Sequence, residues 1–254
     1  MDRIDDIEGR ILQNRCVAPG HHLAAVKLAR PMTKPRPGQF VMVRFHGADI
    51  FLRRPFSVYD YGRSVLWILY KVAGKGTSHF ARMARGEAVN VLGPLGKGFA
   101  PLAGHSPVLV AGGIGIAGIH LLWKLTRGKG SLFWGCTSAD DVGLLGRIAD
   151  GGPYISTIDG SFGCRGNVVD LLADHLGEMK GPIQVFACGP EAMYRSLAGL
   201  LEAERIPCQV LLEERMACGL GICFGCVAKT LDKKEPYKRV CKEGPVFDLW
   251  QISL

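Results

Sequence analysis

No apolar run in this 254-residue sequence reaches the ~18 residues of a membrane-spanning helix, and lysines and arginines interrupt the apolar stretches that exist. No H-x-x-H or H-E-x-x-H grouping joins His79, His105, His120 or His175, so a histidine-centred metal site has no support. No G-x-S-x-G elbow presents a serine nucleophile. No secretory leader opens the chain, which starts with the charged run MDRIDDIEGR; a reducing cytoplasm is therefore expected. Lys and Arg exceed Asp and Glu by 31 to 23, but the basic residues are scattered, so the net charge of +8 gives no case for a nucleic-acid partner. The one dense run is Lys233, Lys234, Lys238 and Arg239. It suits a solvated loop or a surface for an acidic protein or substrate equally well.

At 48% hydrophobic and 21% charged, the composition is that of a soluble globular protein, and the length allows two domains and a small appendage. The 34 glycines gather in GKG, LGPLGKG, AGGIGIAG and CGLGICFGC, which reads as cofactor loops rather than a flexible linker.

Nine cysteines divide into two groups. Cys16, Cys136, Cys164, Cys188 and Cys208 are scattered. Cys218, Cys223, Cys226 and Cys241 fall in one tail segment as C-x4-C-x2-C, with the fourth after fourteen further residues. The first three have the spacing of a plant-type [2Fe–2S] loop, and four thiolates complete the ligands of two tetrahedral irons. Gly219, Gly221 and Gly225 let backbone amides approach the sulfides. Structural zinc, disulfides and unrelated inert thiols are the competing readings. Zinc favours paired C-x2-C knuckles, of which there is one. Disulfides need an oxidising compartment.

The first hundred residues alternate in short runs: HLAAVKLA, QFVMVRF, SVLWILYKV and EAVNVL, separated by turn-rich pieces. Such strands predict a closed antiparallel barrel. Arg53-Arg54-Pro55-Phe56-Ser57 offers a guanidinium for phosphate, an aromatic ring for a flat cofactor and a hydroxyl. ILYKVAGKGTSHFARM reads as strand, glycine turn and short helix, with Gly76, Thr77 and Ser78 at the helix start. Free N–H groups there suit a pyrophosphate; capping of the helix by Thr77 or Ser78 is the competing reading. NVLGPLGKGF adds a turn through Gly93, Pro94, Gly96 and Gly98, which also suits a domain boundary.

Near residue 105 the pattern changes. SPVLVAGGIGIAGIHLLWKL is a strand, a glycine turn and a helix; SLFWGC, PYISTIDG and PIQVFACG are later strands, alternating with helical NVVDLLADHL and EAMYRSLAGLLEAE. This alternation predicts a parallel sheet covered by helices. Gly113, Gly115 and Gly118 match G-x-G-x-x-G in the required strand-to-helix context. Asp140 and Asp141 lie beyond the end of the second strand and take no assigned role. No Arg or Lys follows that strand at once, as a 2′-phosphate would want, so NAD is favoured over NADP. Cys188-Gly189-Pro190 follows a later strand, where a loop reaches the reactive end of a dinucleotide; a buried small residue is the competing reading of Cys188.

RRPFS, the GKGT turn, LGPLGKGF, AGGIGIAGI and ACGP, in this order, resemble the ferredoxin reductase-like flavoproteins. The tail VLLEERMACGLGICFGCVAKT…YKRVCKEGPVF narrows the resemblance to the electron-transfer subunits of class 1B dihydroorotate dehydrogenases. The resemblance implies three domains: an FAD-binding β-barrel over 1–103, an NAD-binding α/β domain over 104–212 and a [2Fe–2S] domain over 213–254. It implies that Arg54, Pro55, Phe56 and Ser57 contact FAD, that Tyr70, Lys71 and Val72 run along the flavin, and that Gly76 and Thr77 hold its pyrophosphate. Gly113 and Gly115 would face NAD, a diffusible substrate, with Cys188, Gly189 and Pro190 near its nicotinamide. Cys218, Cys223, Cys226 and Cys241 would hold the cluster. It further implies a separate catalytic subunit carrying FMN, where dihydroorotate is oxidised to orotate, in a two-plus-two heterotetramer. The fourth cysteine comes much sooner than in plant ferredoxins, which are a poor guide to that loop. Relatives with the same cofactors serve hydrogenases, sulfide dehydrogenases, transhydrogenases and ferredoxin or monooxygenase systems. Only the partner separates these readings; a non-catalytic cluster scaffold is a third class.

Overall fold

The computed structural model describes residues 4–46, 49–126, 129–146, 148 and 152–254; the first three residues of the charged opening lie outside them. β1 (Asp5–Ala18), β2 (His21–Leu28), β3 (Phe40–Phe45), β4 (Arg54–Ser57), β5 (Asp60–Gly62), β6 (Val65–Lys71) and β7 (Ala88–Leu95) form one antiparallel sheet in the order β4-β3-β7-β1-β2-β6-β5. Its two edge strands are consecutive in the chain, joined by Val58 and Tyr59. Val58 N–H donates to the Gln39 carbonyl at 3.0 Å and Tyr59 N–H to the Trp67 carbonyl at 3.1 Å. The sheet therefore curls until its edges meet, which is the form the expected barrel takes. Helix α1 (Lys75–Arg82) follows β6.

Two features of this sheet differ from the sequence pattern. β1 opens inside the charged run: Asp5, Ile7, Gly9 and Ile11 point inward while Asp6, Glu8 and Arg10 point out. An acid and a glycine at inward positions mask the alternation. Arg30 meets Asp5 at 3.0 Å, and a Cβ on Gly9 would sit 2.7 Å from Val26 Cγ1. β7 runs through Gly93 and Pro94, where a turn was expected, to Leu95. A register shift opposite Phe40 and Met42 absorbs the proline, which cannot donate to a ladder.

β8 (Ser106–Gly112), β9 (Ser131–Cys136), β10 (Tyr154–Thr157), β11 (Cys164–Arg165), β12 (Ile183–Cys188) and β13 (Cys208–Leu211) are mutually parallel, in the order β11-β10-β9-β8-β12-β13. α2 (Ile116–Thr126), α3 (Val168–Leu176) and α4 (Glu191–Leu201) cover the sheet. Side chains alternate across a strand. Val108 and Val110 accordingly join the core with α3 and α4, while Leu109 and Ala111 join the core with α2. Asn167 caps α3, accepting from the N–H groups of Val169 and Asp170 at 2.8 and 3.0 Å.

The tail forms a small ladder of β14 (Val227–Lys229) and β15 (Tyr237–Arg239), then returns as β16 (Val246–Asp248), antiparallel to β13. The nucleotide-type sheet is thus mixed, and its last strand comes from beyond residue 213. Among the described residues no helix is long and apolar enough to cross a membrane.

Gly115 shows how tightly the first turn sits on β12: a Cβ there would overlap the backbone carbonyl of Cys188. Gly199, inside α4, has nothing within 4 Å of the same position. Gly115→Ala should cost about 1–3 kcal/mol through overpacking, or roughly 2–4 °C of Tm per kcal/mol in a chain of this size. Gly199→Ala should gain about 0.5–1 kcal/mol from helix propensity. Thermal unfolding checks both; a Gly115→Ala protein as stable as the parent would contradict the packing.

Candidate cofactor clefts and cysteine loop

A cleft of about 340 Å³ opens where the curled sheet, the parallel sheet and the tail meet. Of the residues expected at a flavin, Pro55, Phe56, Ser57, Tyr70, Lys71 and Thr77 line it. Arg54 and Gly76 lie together beside it: a Cβ on Gly76 would stand 2.5 Å from Arg54 Nε, so the guanidinium crosses the start of α1. Arg54 Nη1 donates to the Leu52 carbonyl at 2.6 Å, which fixes the arm. Val72 is half-buried next to the lining, its N–H donating to the Gly20 carbonyl at 2.8 Å.

The side chains here have defined local work. The Phe56 ring meets Tyr70 edge-on at 5.6 Å and packs on Phe80, so it anchors the loop in the aromatic core. Tyr70 donates to Asn14 Oδ1 at 3.0 Å, and burial pushes its phenol up to about 12. Thr77 Oγ1 accepts from the N–H groups of Ala73 and Gly74 at 2.9 and 3.1 Å, so its hydroxyl does cap the turn. The first intrahelical bond runs from Ser78 N–H to the Gly74 carbonyl at 2.8 Å. The amides of Lys75, Gly76 and Thr77 precede it, and they suit an anion held under Arg54.

The lining also contains Ile114, Leu211, Glu213, Glu214, Met216 and Pro245, none of which the motifs singled out. Glu213 and Glu214 lie just past Leu212 at the carboxyl end of β13, where ligands gather in parallel sheets, but that strand carries no clear sequence pattern. Surrounding protein raises the Glu213 carboxyl above its ordinary range, although the cleft leaves it open to solvent.

A second cleft of about 520 Å³ lies at the carboxyl ends of the parallel strands. Gly113, at φ +50° and with open space at its Cβ position, faces it; Pro190 also lines it, packed against the adjacent Gly112. Gly115 is outside the lining and buried against Cys188. Gly189 packs against Met193 and the backbone of Gly112. The Cys188 thiol is buried and held well above its ordinary range, first by burial and then by Glu213, so it is neutral. A Cβ on Gly118 would lie 3.0 Å from Cys188 Sγ and 3.6 Å from Ser57 Oγ, so both side chains converge on that helix start. Tyr194 ties the Cys188 turn to β13, accepting from Gly189 N–H at 3.0 Å and donating to the Leu211 carbonyl. Asp141 accepts from Thr137 N–H at 3.3 Å, within a short helical turn beyond β9. Among the described residues no Lys or Arg lines this cleft.

In the tail, Cys226 and Cys241 are buried, Cys218 is half-buried and Cys223 is exposed. Leu220 N–H donates to Cys218 Sγ at 3.3 Å and Gly221 N–H to Cys241 Sγ at 3.1 Å. Burial alone would raise the Cys218 thiol, but amides of Cys223, Leu220 and Ile222 bring it down to about 6. Cys241 is pushed up to about 12 by burial and by Cys226. Among the described residues no three Cys, His, Asp or Glu side chains form a ligand set for a single metal ion. Cys218 interacts with Cys223 and Cys241 with Cys226, and Cys218 also bears on Cys241 electrostatically, so all four thiols share one loop. Two irons joined by sulfides need two thiolates each, whereas a zinc ion needs all four at one point. Four thiols in one loop, with backbone amides already donating to two of the sulfurs, fit the ligand set of a binuclear cluster. Arg239 braces the loop: it donates to the Gly221 carbonyl at 2.7 Å, pairs with Glu243 and lies 4.6 Å over the Phe224 ring.

Comparison with known proteins agrees with this geometry. Residues 213–253 match the iron–sulfur cluster binding domain of dihydroorotate dehydrogenase B. The chain is 36% identical over 243 residues to the dihydroorotate dehydrogenase B (NAD⁺) electron transfer subunit of Caldanaerobacter subterraneus subsp. tengcongensis, covering 95% of this chain and 96% of that one. It is 38% identical over 239 residues to the subunit of the same name from Enterococcus faecalis, covering 90% of each. Among solved structures, an NADH-dependent reduced ferredoxin–NADP oxidoreductase superposes with a TM-score of 0.82 at 24% identity, over 96% of this chain and 89% of that one. A ferredoxin NADP⁺ reductase from Neisseria gonorrhoeae, with bound FAD and NADP, gives 0.65 at 19% identity, over 80% and 92%. These two share the fold. By its sequence relatives and its matched tail, the chain belongs to the electron-transfer subunits of dihydroorotate dehydrogenase B, within the ferredoxin reductase-like flavoproteins.

Proposed function

We propose that this oxidoreductase subunit links an FMN-containing catalytic partner, which oxidises dihydroorotate to orotate in pyrimidine biosynthesis, to NAD⁺, with FAD and a [2Fe–2S] cluster as the carriers held by this chain. One observation carries the reading: the three candidate sites form an unbroken series. Ile114 lines both clefts, so the dinucleotide and flavin seats share a wall. Met216 lines the flavin cleft, and Cys218 is two residues further on. An extended chain spans at most ~3.6 Å per residue, so those two Cα atoms are no more than ~7 Å apart. When bound, FAD supplies exchange of hydride with a nicotinamide and of single electrons with an iron–sulfur centre.

The chain's own residues then bind and orient. Arg54 and the α1 amides hold phosphate beside Gly76. Pro55, Phe56 and Tyr70 shape the wall along a flat ring. Gly113 allows close backbone approach to a dinucleotide, and the Pro190 turn packed on Gly112 lines the same cleft. The neutral Cys188 thiol adds no charge where hydride would cross, and direct transfer needs no side-chain base. The absence of a basic residue from the described lining favours NAD over NADP. With its exposed Ile222 and Phe224, the cysteine loop is the side from which the partner is reached.

Anaerobically purified chain should contain about two irons and two acid-labile sulfides with about one FAD. Zinc without sulfide would defeat the cluster assignment. Native co-purification should recover an FMN-containing dihydroorotate dehydrogenase subunit, and the complex should reduce NAD⁺ with dihydroorotate. In that complex Cys223→Ser should abolish the coupled reaction while leaving part of the NADH oxidation by bound flavin. Recovery of a hydrogenase or glutamate-synthase-like subunit with no dihydroorotate activity would overturn the pathway. Full coupled activity in Cys223→Ser would overturn the cluster's role.

A further inference from the structure

Helix α2 follows directly on the glycine turn that lines the second cleft, and its second residue, Ala117, lines the flavin cleft. Ala117, His120, Leu121 and Lys124 fall at i, i+3, i+4 and i+7, so they share one helix face. That face lies on the segment that joins β4 to β5. The Tyr59 and His120 rings stack there, 3.9 Å between centroids and 11° between planes. One turn further on, Lys124 Nζ donates to the two Asp60 carboxylate oxygens at 2.9 and 2.8 Å. Leu121 is buried in the core of the curled sheet. On the strand side, Ser57 lines the flavin cleft two residues before Tyr59.

The stack therefore joins the helix that carries the dinucleotide turn to the strand that carries the flavin wall. Tyr59 is buried, and its N–H bond to the Trp67 carbonyl fixes it in the curled sheet. Burial brings the His120 imidazole down to about 4, against the opposing pull of Asp60, so the ring is neutral. Its Nδ1 is buried with no hydrogen-bond partner among the described residues. Packing alone would favour an apolar ring, because an unpaired buried nitrogen is costly. Water relieves that cost whenever the seam opens, so the stack closes the seam without sealing it. The Lys124–Asp60 pair is partly exposed and adds direction more than energy. We propose that Tyr59 and His120 form a releasable clamp that sets the distance between the dinucleotide turn and the flavin wall for hydride transfer. They are positioning residues, since neither lines either cleft. Reacting atoms must come within ~3–3.5 Å, and a misplacement of ~1 Å can cost about a hundredfold in rate. The inference rests on the flavin and dinucleotide reading above and extends it to two residues that no motif marks.

Two readouts on the full-length chain test the clamp. In the loaded chain, stopped-flow reduction of the flavin by NADH gives a limiting rate and the NADH concentration that half-saturates it. His120→Ala should lower the limiting rate about tenfold and leave the half-saturating concentration within about twofold, because no cleft residue changes. His120→Phe keeps a flat ring on Tyr59 and should stay within about twofold of the parent rate. Tyr59→Leu keeps apolar bulk, removes the stack from the other side and should lower the rate as His120→Ala does. In the flavin-free chain, amide hydrogen exchange should quicken across α2 and β5 in His120→Ala and not in His120→Phe, with β14 and β15 unchanged in both. Parent rates in both His120→Ala and Tyr59→Leu overturn the proposal. So does an equal loss in His120→Phe, which would assign the effect to the imidazole nitrogens. Exchange that quickens throughout the chain in His120→Ala also overturns it, since the residue would then serve folding at large. A parent whose bound flavin NADH cannot reduce would overturn the flavin and dinucleotide reading itself, and the proposal with it.

Discussion

The backbone bonds made by residues 244–248 hold the three parts of this protein together. Gly244 accepts from Lys97 N–H at the end of the curled sheet, and Pro245 accepts from Leu212 N–H at 2.8 Å just past β13. Val246 to Asp248 then extend the parallel sheet as its antiparallel edge. Gly96 and Gly38 are bare because Pro245 and Val246 occupy the space a Cβ would take. One short segment therefore bonds to both larger bodies and walls the first cleft through Pro245.

The order of the candidate sites follows from that stitch. With the tail closed back on β13, the stretch from Glu213 to Met216 must pass through the cleft before the cysteine loop begins. The loop packs on the curled sheet as well: a Cβ on Gly219 would meet Met42 Cγ at 2.7 Å. On the other side, Ile114 lines both the first and the second cleft. A short relay needs close spacing at every step, and one wall residue and two chain positions provide it.

Much of this was legible because the chemistry is local. Arg54 to Ser57, the GKGT turn and the first glycine loop each combine a backbone requirement with a side chain in a few consecutive residues. In the structure Pro55, Phe56, Ser57 and Thr77 line the first cleft and Gly113 lines the second. Gly115 is a partial exception. Its motif position suggests contact with a dinucleotide, yet it is bare because the Cys188 carbonyl lies against it. Contributions that depend on chain return were not legible. Nothing local marks Glu213 or Pro245 as cleft residues, or Val246 as a strand of the parallel sheet. Asp5 and Gly9 hid β1 by standing where apolar residues are expected, and both are explained only by partners 25 and 17 residues away, Arg30 and Val26.

In the proposed relay, one chain holds a flavin and an iron–sulfur cluster close enough to share electrons with a nicotinamide. An anaerobic NADH titration of the loaded full chain, without its partner, tests it most directly when flavin absorbance and low-temperature electron paramagnetic resonance are followed together. Bleaching of the flavin should be accompanied by the signal of a reduced [2Fe–2S] cluster, and Cys223→Ser should keep the first and lose the second. A flavin that NADH fully reduces while an intact, chemically reducible cluster stays oxidised would contradict it.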